Sequence, residues 1–177
     1  MGKISERREV LKRLLNSVPR RSEWHRRLLA QVYAEEITVG VHLAIFVEPY
    51  LTAVLEGKKT IESRFAVTRR PPYHCILPAD YIILKKSGGP VMGLAIAKST
   101  NFYRLSPAIL AELRRKFARE LFALEDDFWA DRVDKQYATL IELENTTSID
   151  PITIYKRDRQ GWVTYDRHLR TAAQLQF

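Results

Sequence analysis

The spacing of apolar residues changes period along the chain, from helical at the start to β-like in the middle. Ile4, Leu11, Leu14, Leu15 and Val18 form one helical stripe, which Pro19 interrupts. Ser22 then offers a helix N-cap, and Trp24, Leu28 and Val32, flanked by Leu29 and Tyr33, continue at helical spacing. The pattern predicts two amphipathic helices within residues 1–40, with Arg7, Arg8, Lys12, Arg13, Arg20, Arg21, Arg26 and Arg27 on their polar sides. These helices could lie along a phosphate backbone, serve as a protein-interaction module, or pack on the rest of the chain as a hairpin. The quality of the apolar stripes favours packing. Val41 to Val47 (VHLAIFV) reads as a strand, and Pro49 to Glu56 as a short helix ended by Gly57, which can take the positive φ of a C-cap.

Further along, Tyr81 to Thr100 has the form of a hairpin turning at Ser87-Gly88-Gly89-Pro90. Its second strand, Val91 to Lys98, is small and nearly all apolar, and Gly93 would permit close backbone approach or bending there. Ser106-Pro107 starts a helix whose apolar positions recur at Leu110, Leu113, Phe117, Leu121 and Leu124. Tyr137 to Glu144 alternates as a strand. Ile152 to Arg157 and Gly161 to Tyr165 predict two more, with Lys156, Arg157, Arg159 and Trp162 around their turn and Trp162 in the core. No internal repeat is visible.

The densest chemistry lies in Gly57-Lys58-Lys59-Thr60-Ile61-Glu62-Ser63-Arg64. On a strand beginning at Thr60, Thr60, Glu62 and Arg64 share one face, while Ile61, Ser63 and Phe65 share the other. A carboxylate and a guanidinium then stand side by side below two lysines, suited to gripping a polar anionic ligand through charge-assisted hydrogen bonds. The same pair could instead form an ion pair bracing a cavity mouth, and the two roles are compatible. Directly after this strand, Pro71-Pro72 stiffens a loop carrying Arg69, Arg70, Tyr73 and His74. Paired arginines beside an aromatic ring can hold phosphate and stack a base; equally, Tyr73 and Cys75 could pack as a lid.

The pattern G-x-K-x-x-E-x-R, following a short helix and opening a strand, resembles the signature of the ASCH domain. A strand before the helix and the hairpin after it agree with that resemblance, which spans roughly residues 41–165. It implies a PUA-like β-barrel over residues 41–170; with the N-terminal basic helical hairpin that the apolar stripes predict over residues 1–40, which lies outside the resemblance, and with additional helices, the chain is expected to be α+β. The resemblance further implies binding of RNA or a modified nucleotide, with DNA a further candidate, in a cleft lined by Lys58, Lys59, Glu62 and Arg64 and rimmed by Arg69, Arg70 and Tyr73. Some ASCH proteins are amidohydrolases acting on acetylated cytidine through a lysine, a threonine three residues on, and a glutamate on the second hairpin strand. Lys59 matches the lysine, but Glu62 stands at the threonine position and Val91 to Lys98 holds no acid. Lys59 and Glu62 are therefore the catalytic candidates for a reading in which a nucleoside or RNA is hydrolysed, without the family's full pattern.

Charge sharpens this picture. The net charge is +8 over 177 residues. Residues 58–116 hold twelve basic side chains against three acidic, whereas residues 117–154 hold three against nine. The basic excess thus centres on the signature and the segment after it, as a phosphate-bearing partner would require. The acidic group Glu125, Asp126, Asp127 and Asp131 has no accompanying histidine and no calcium-loop glycine, so no metal is expected, and no cofactor fingerprint occurs. The four histidines, His25, His42, His74 and His168, are scattered. Cys75 is the only cysteine, which rules out an intramolecular disulfide and points to a cytoplasmic protein. No apolar run approaches a membrane span.

Overall fold

The computed structural model of the chain describes residues 3–36, 38–155 and 159–165. Two helices come first. Helix α1 (Lys3–Ser17) ends before Pro19, and Ser22 caps α2 (Glu23–Tyr33) by accepting the His25 backbone N–H at 3.0 Å. Val10, Leu11, Leu14 and Val18 of the α1 segment meet Trp24, Leu28 and Val32 of α2. Together they pack in one core with Leu43, Ile83, Leu94, Ile96 and Ile149 of the sheet. The Trp24 indole N–H also donates to Asn145 O at 2.8 Å. The helices are therefore packed, and they share their core with the sheet. Arg7 departs from the expected solvated side: it is buried and donates to Gln31 Oε1 at 3.0 Å and Val39 O at 3.1 Å, tying α1 to the approach to the first strand. Arg8, Lys12, Arg20, Arg21 and Arg26 are exposed.

Among the described residues the sheet has six strands: β1 (Val41–Phe46), β2 (Ile61–Ala66), β3 (Tyr81–Lys86), β4 (Val91–Arg104), β5 (Tyr137–Ile152) and β6 (Trp162–Thr164). Their spatial order is β2-β5-β4-β3-β1-β6, with β1 and β3 parallel and the other pairings antiparallel. The long β4–β5 ladder slips register at three places, and such bulges bend and coil a sheet. The result is a half-barrel with helices, an α+β fold. At Gly93 the strands come so close that a Cβ would lie 2.7 Å from Thr147 O.

Helix α3 (Tyr50–Leu55) connects β1 to β2, and Gly57 after it takes φ 71°. Helix α4 (Pro107–Phe117) starts at the Ser106 cap as expected, but it stops seven positions before Leu124, which is 70% exposed. The chain leaves the helix because its next carbonyls are used elsewhere. Glu120 O accepts the N–H groups of Thr60 and Ile61, both at 3.0 Å, and Leu121 O accepts from Lys59. A short α5 (Asp126–Ala130) comes next. Two strand expectations also change. Strand β5 runs on through Ile152, so no separate strand begins there, and Thr153 to Tyr155 lie outside any strand. Lys156, Arg157, His168 and the Ile4 side chain fall outside the described residues. Among the described residues no helix is long and apolar enough to cross a membrane.

Candidate functional site

The turn after α3 decides the fate of two neighbouring lysines. The N–H groups of Lys58 and Lys59 both donate to Ala53 O, at 2.8 and 2.9 Å. From this tight turn the Lys58 side chain points to solvent, where it pairs with Glu56 at 2.7 Å. Lys59 turns inward and is buried. Its Nζ donates to Ile61 O at 2.7 Å and Leu121 O at 3.0 Å, and lies 3.4 Å from Glu62 Oε2. An ammonium carries three N–H donors, so these acceptors can satisfy it fully. Burial pushes the Lys59 pKa below that of an ordinary lysine, with Glu62 opposing the shift.

Glu62 and Arg64 share one face of β2, and Glu62 is buried between its two cations, with Oε1 2.7 Å from Arg64 Nε. The Arg64 guanidinium then reaches across the opening between the two sheet edges. It donates to Ile45 O at 2.9 Å and Gly161 O at 3.2 Å, and lies 5.4 and 5.3 Å from the ring centres of Phe46 and Trp162. The half-barrel is thus bridged at its seam by a side chain. Trp162 is itself fixed from behind: its indole N–H can only donate, so His42 Nδ1 must accept it, at 3.2 Å. That leaves His42 Nε2–H to donate to buried Asp80 at 3.1 Å.

Two cavities flank Arg64. The first, about 340 Å³, is lined by Lys59, Glu62 and Arg64 together with Tyr50, Phe65, Phe128, Asp131, Arg132 and Lys135. Among the described residues its walls carry four cationic side chains against two carboxylates. Arg132 is half-buried, lies 3.5 Å from the Phe128 ring centre and 5.2 Å from that of Phe65, and donates to Phe128 O. Burial lowers its pKa, and its Nε has no hydrogen-bond partner among the described residues. The second cavity, about 400 Å³, lies beside Arg64, Arg70, Tyr73, Tyr137, Arg159 and Trp162. Tyr73 stands edge-on to Tyr137, with ring centres 5.0 Å apart.

Of the residues singled out in the sequence, Lys59, Glu62 and Arg64 come together at the first cavity, and Arg64, Arg70 and Tyr73 at the second. Lys58 and Arg69 line neither; Arg69 instead lies 5.5 Å from the Tyr137 ring centre. The sequence reading missed Tyr50, Phe128, Asp131, Arg132 and Lys135. The last four sit in and just after α5, within the acidic stretch, and the one available signal was an aromatic pair, Phe128-Trp129, embedded among charges.

No protein-family model and no curated protein matches the sequence. Solved structures do. The ASCH protein of Zymomonas mobilis is similar with a TM-score of 0.52 at 22% identity, over 64% of this chain and 73% of that one. A tyrosine-to-phenylalanine variant of that protein gives 0.52 at 22% identity, over 64% of this chain and 76% of that one. A serine-to-alanine variant gives 0.51 at 23% identity, over 63% and 72%. The likeness is one of fold.

Proposed function

We propose that this chain, carrying the ASCH fold, binds nucleic acid, RNA or a modified nucleotide above all, in the cavity beside Lys59, Glu62 and Arg64. The observation that carries this reading is the cavity's composition. Aromatic rings of Phe46, Tyr50, Phe65 and Phe128 can pack on a flat base, while Arg132 and Lys135 add positive charge. Lys59 and Glu62 are largely occupied by one another and by backbone carbonyls, so their role is to hold Arg64 in place. The test is fluorescence-polarisation binding to single-stranded RNA, duplex RNA and duplex DNA across a salt series. Arg132→Ala with Lys135→Ala should weaken binding and flatten the plot of log affinity against log salt by roughly 0.7–0.9 per lost phosphate contact. Unchanged affinity would remove the assignment.

A second reading, hydrolysis of a modified nucleoside or RNA, is favoured by one observation: a buried lysine of lowered pKa stands in the wall of the same cavity. Against it, the two glutamates that β5 sets opposite β4, Glu142 facing Ser99 and Glu144 facing Ile96, are not part of the cavity wall, and Glu142 pairs with Lys98 at 2.6 Å. Turnover of an acetylated cytidine or of RNA by the intact protein, lost in Lys59→Met while binding persists, would establish the enzyme.

A further inference from the structure

The second cavity differs chemically from the first. Among the described residues, its wall contains three arginines, Arg64, Arg70 and Arg159, and no carboxylate. Arg70 and Arg159 are exposed and make no ion pair with a described residue. They come from different places in the chain: Arg70 is held by the loop at Pro71-Pro72, and Arg159 by the approach to β6. Arg64 is paired with Glu62, but Arg70 and Arg159 bring like charge to the same cavity without a counter-charge among the described residues, which is unfavourable by itself and which an anion there would relieve. Arg64 borders both cavities, and each of its terminal nitrogens retains one N–H beyond the bonds to Ile45 O and Gly161 O. Both cavities fall within the range of about 300–1,000 Å³ usual for small-ligand sites.

From this arrangement we infer that the cavity at Arg64, Arg70 and Arg159 is a phosphate subsite, distinct from the cavity at Lys59 and Arg132. The ligand that fills both is therefore a phosphorylated nucleotide unit and not a bare nucleoside. The inference rests on the nucleic-acid reading above. The guanidinium fork matches phosphate oxygens in bidentate geometry, and Tyr73 beside the subsite offers a ring edge to the group beyond the phosphate. The phosphate can be the monoester of a free nucleotide or the diester of a strand, and the two share this chemistry.

The experiment is calorimetric titration of the full chain with nucleosides, their 5′- and 3′-monophosphates, dinucleotides, and dinucleotides with an uncharged methylphosphonate link. The phosphate should tighten binding by about tenfold or more over the nucleoside. That advantage should vanish in Arg70→Ala/Arg159→Ala and survive in Arg69→Ala, which removes one charge of the same loop outside the cavity. A monophosphate as tight as the dinucleotide marks a free nucleotide as the source. A dinucleotide that is tighter, and loses its gain with the methylphosphonate link, marks a strand. Equal affinity for nucleoside and phosphate forms, or a phosphate gain that survives the double variant, overturns the subsite and leaves the first cavity standing. Failure of every ligand to bind overturns the nucleic-acid reading itself, and this inference with it.

Discussion

At the scale of single residues, the site is governed by which charges are buried. Lys58 and Lys59 are identical and adjacent, yet one is solvated and the other enclosed, because the turn after α3 aims them apart. Removing Glu62 would leave the Lys59 ammonium enclosed without its carboxylate. Breaking a buried pair in this way costs about 3–5 kcal/mol. Glu62→Ala should show that loss in urea denaturation, and Lys59→Met/Glu62→Leu should lose less than the sum of the two single variants. The lowered Lys59 pKa also has a definite sign. Between that lowered value in the folded protein and about 10.4 in the unfolded chain, the unfolded chain binds more protons, so stability rises with pH across this window. The urea midpoint of the native protein should climb relative to Lys59→Met as alkaline pH is approached. Parallel curves would show that Lys59 is not held as described. The sequence showed the shared face of Glu62 and Arg64, because strand alternation is local. The inward turn of Lys59 was not legible, since it depends on a carbonyl at Leu121, sixty-two residues away.

At the scale of elements, the long β4–β5 ladder shapes the half-barrel, and Gly93 is its tightest point. An added Cβ there would sit 2.7 Å from Thr147 O and 2.6 Å from Leu55 Cδ2. The leucine can rotate away, but the carbonyl belongs to the paired strand and can move only with the ladder. Gly93→Ala should therefore cost about 1–3 kcal/mol by thermal or chemical denaturation. Leu55→Ala in the same chain should recover only part of that loss, and full recovery would place the conflict on α3 instead. Caps and turns were readable in advance: Ser22, Gly57, Gly88 and Ser106 all mark element ends as their chemistry dictates. The end of α4 was not readable. Its apolar repeat continues through Leu121 to Leu124, but Glu120 and Leu121 give their carbonyls to β2 and Lys59 in place of a further helical turn. The same detour leads into α5 and the segment bearing Asp131, Arg132 and Lys135, so the part of the cavity that the sequence hid is the part built by a departure from helical periodicity.

For the whole molecule, the question is whether residues 1–40 are an appendage or part of the body that holds the site. One cluster joins Leu11, Leu14 and Leu28 of the helices to Leu43 of β1, Ile83 of β3 and Leu94 of β4. Those three strands carry a second cluster on their other face, through Ala44, Leu84 and Ala95, together with Trp162. Trp162 in turn underlies Arg64, which bridges the sheet edges and borders both cavities. Structural support therefore passes from the helices through the sheet to the site, without any direct contact being required. Each fully buried aliphatic side chain contributes about 1.5–3 kcal/mol. Val10, Leu11, Leu14, Val18, Trp24, Leu28 and Val32 would all be lost by deleting residues 1–38. That loss is comparable with the whole stability of a typical domain, about 5–15 kcal/mol, and it would bare the apolar face they cover. The truncated chain should aggregate, or elute as a soluble species without a cooperative thermal transition. Ligand binding should fall with the fold, even though no residue of either cavity has been removed. A soluble, cooperatively melting fragment that binds as the full chain does would make the helices a separable extension, and would require the shared core to contribute little.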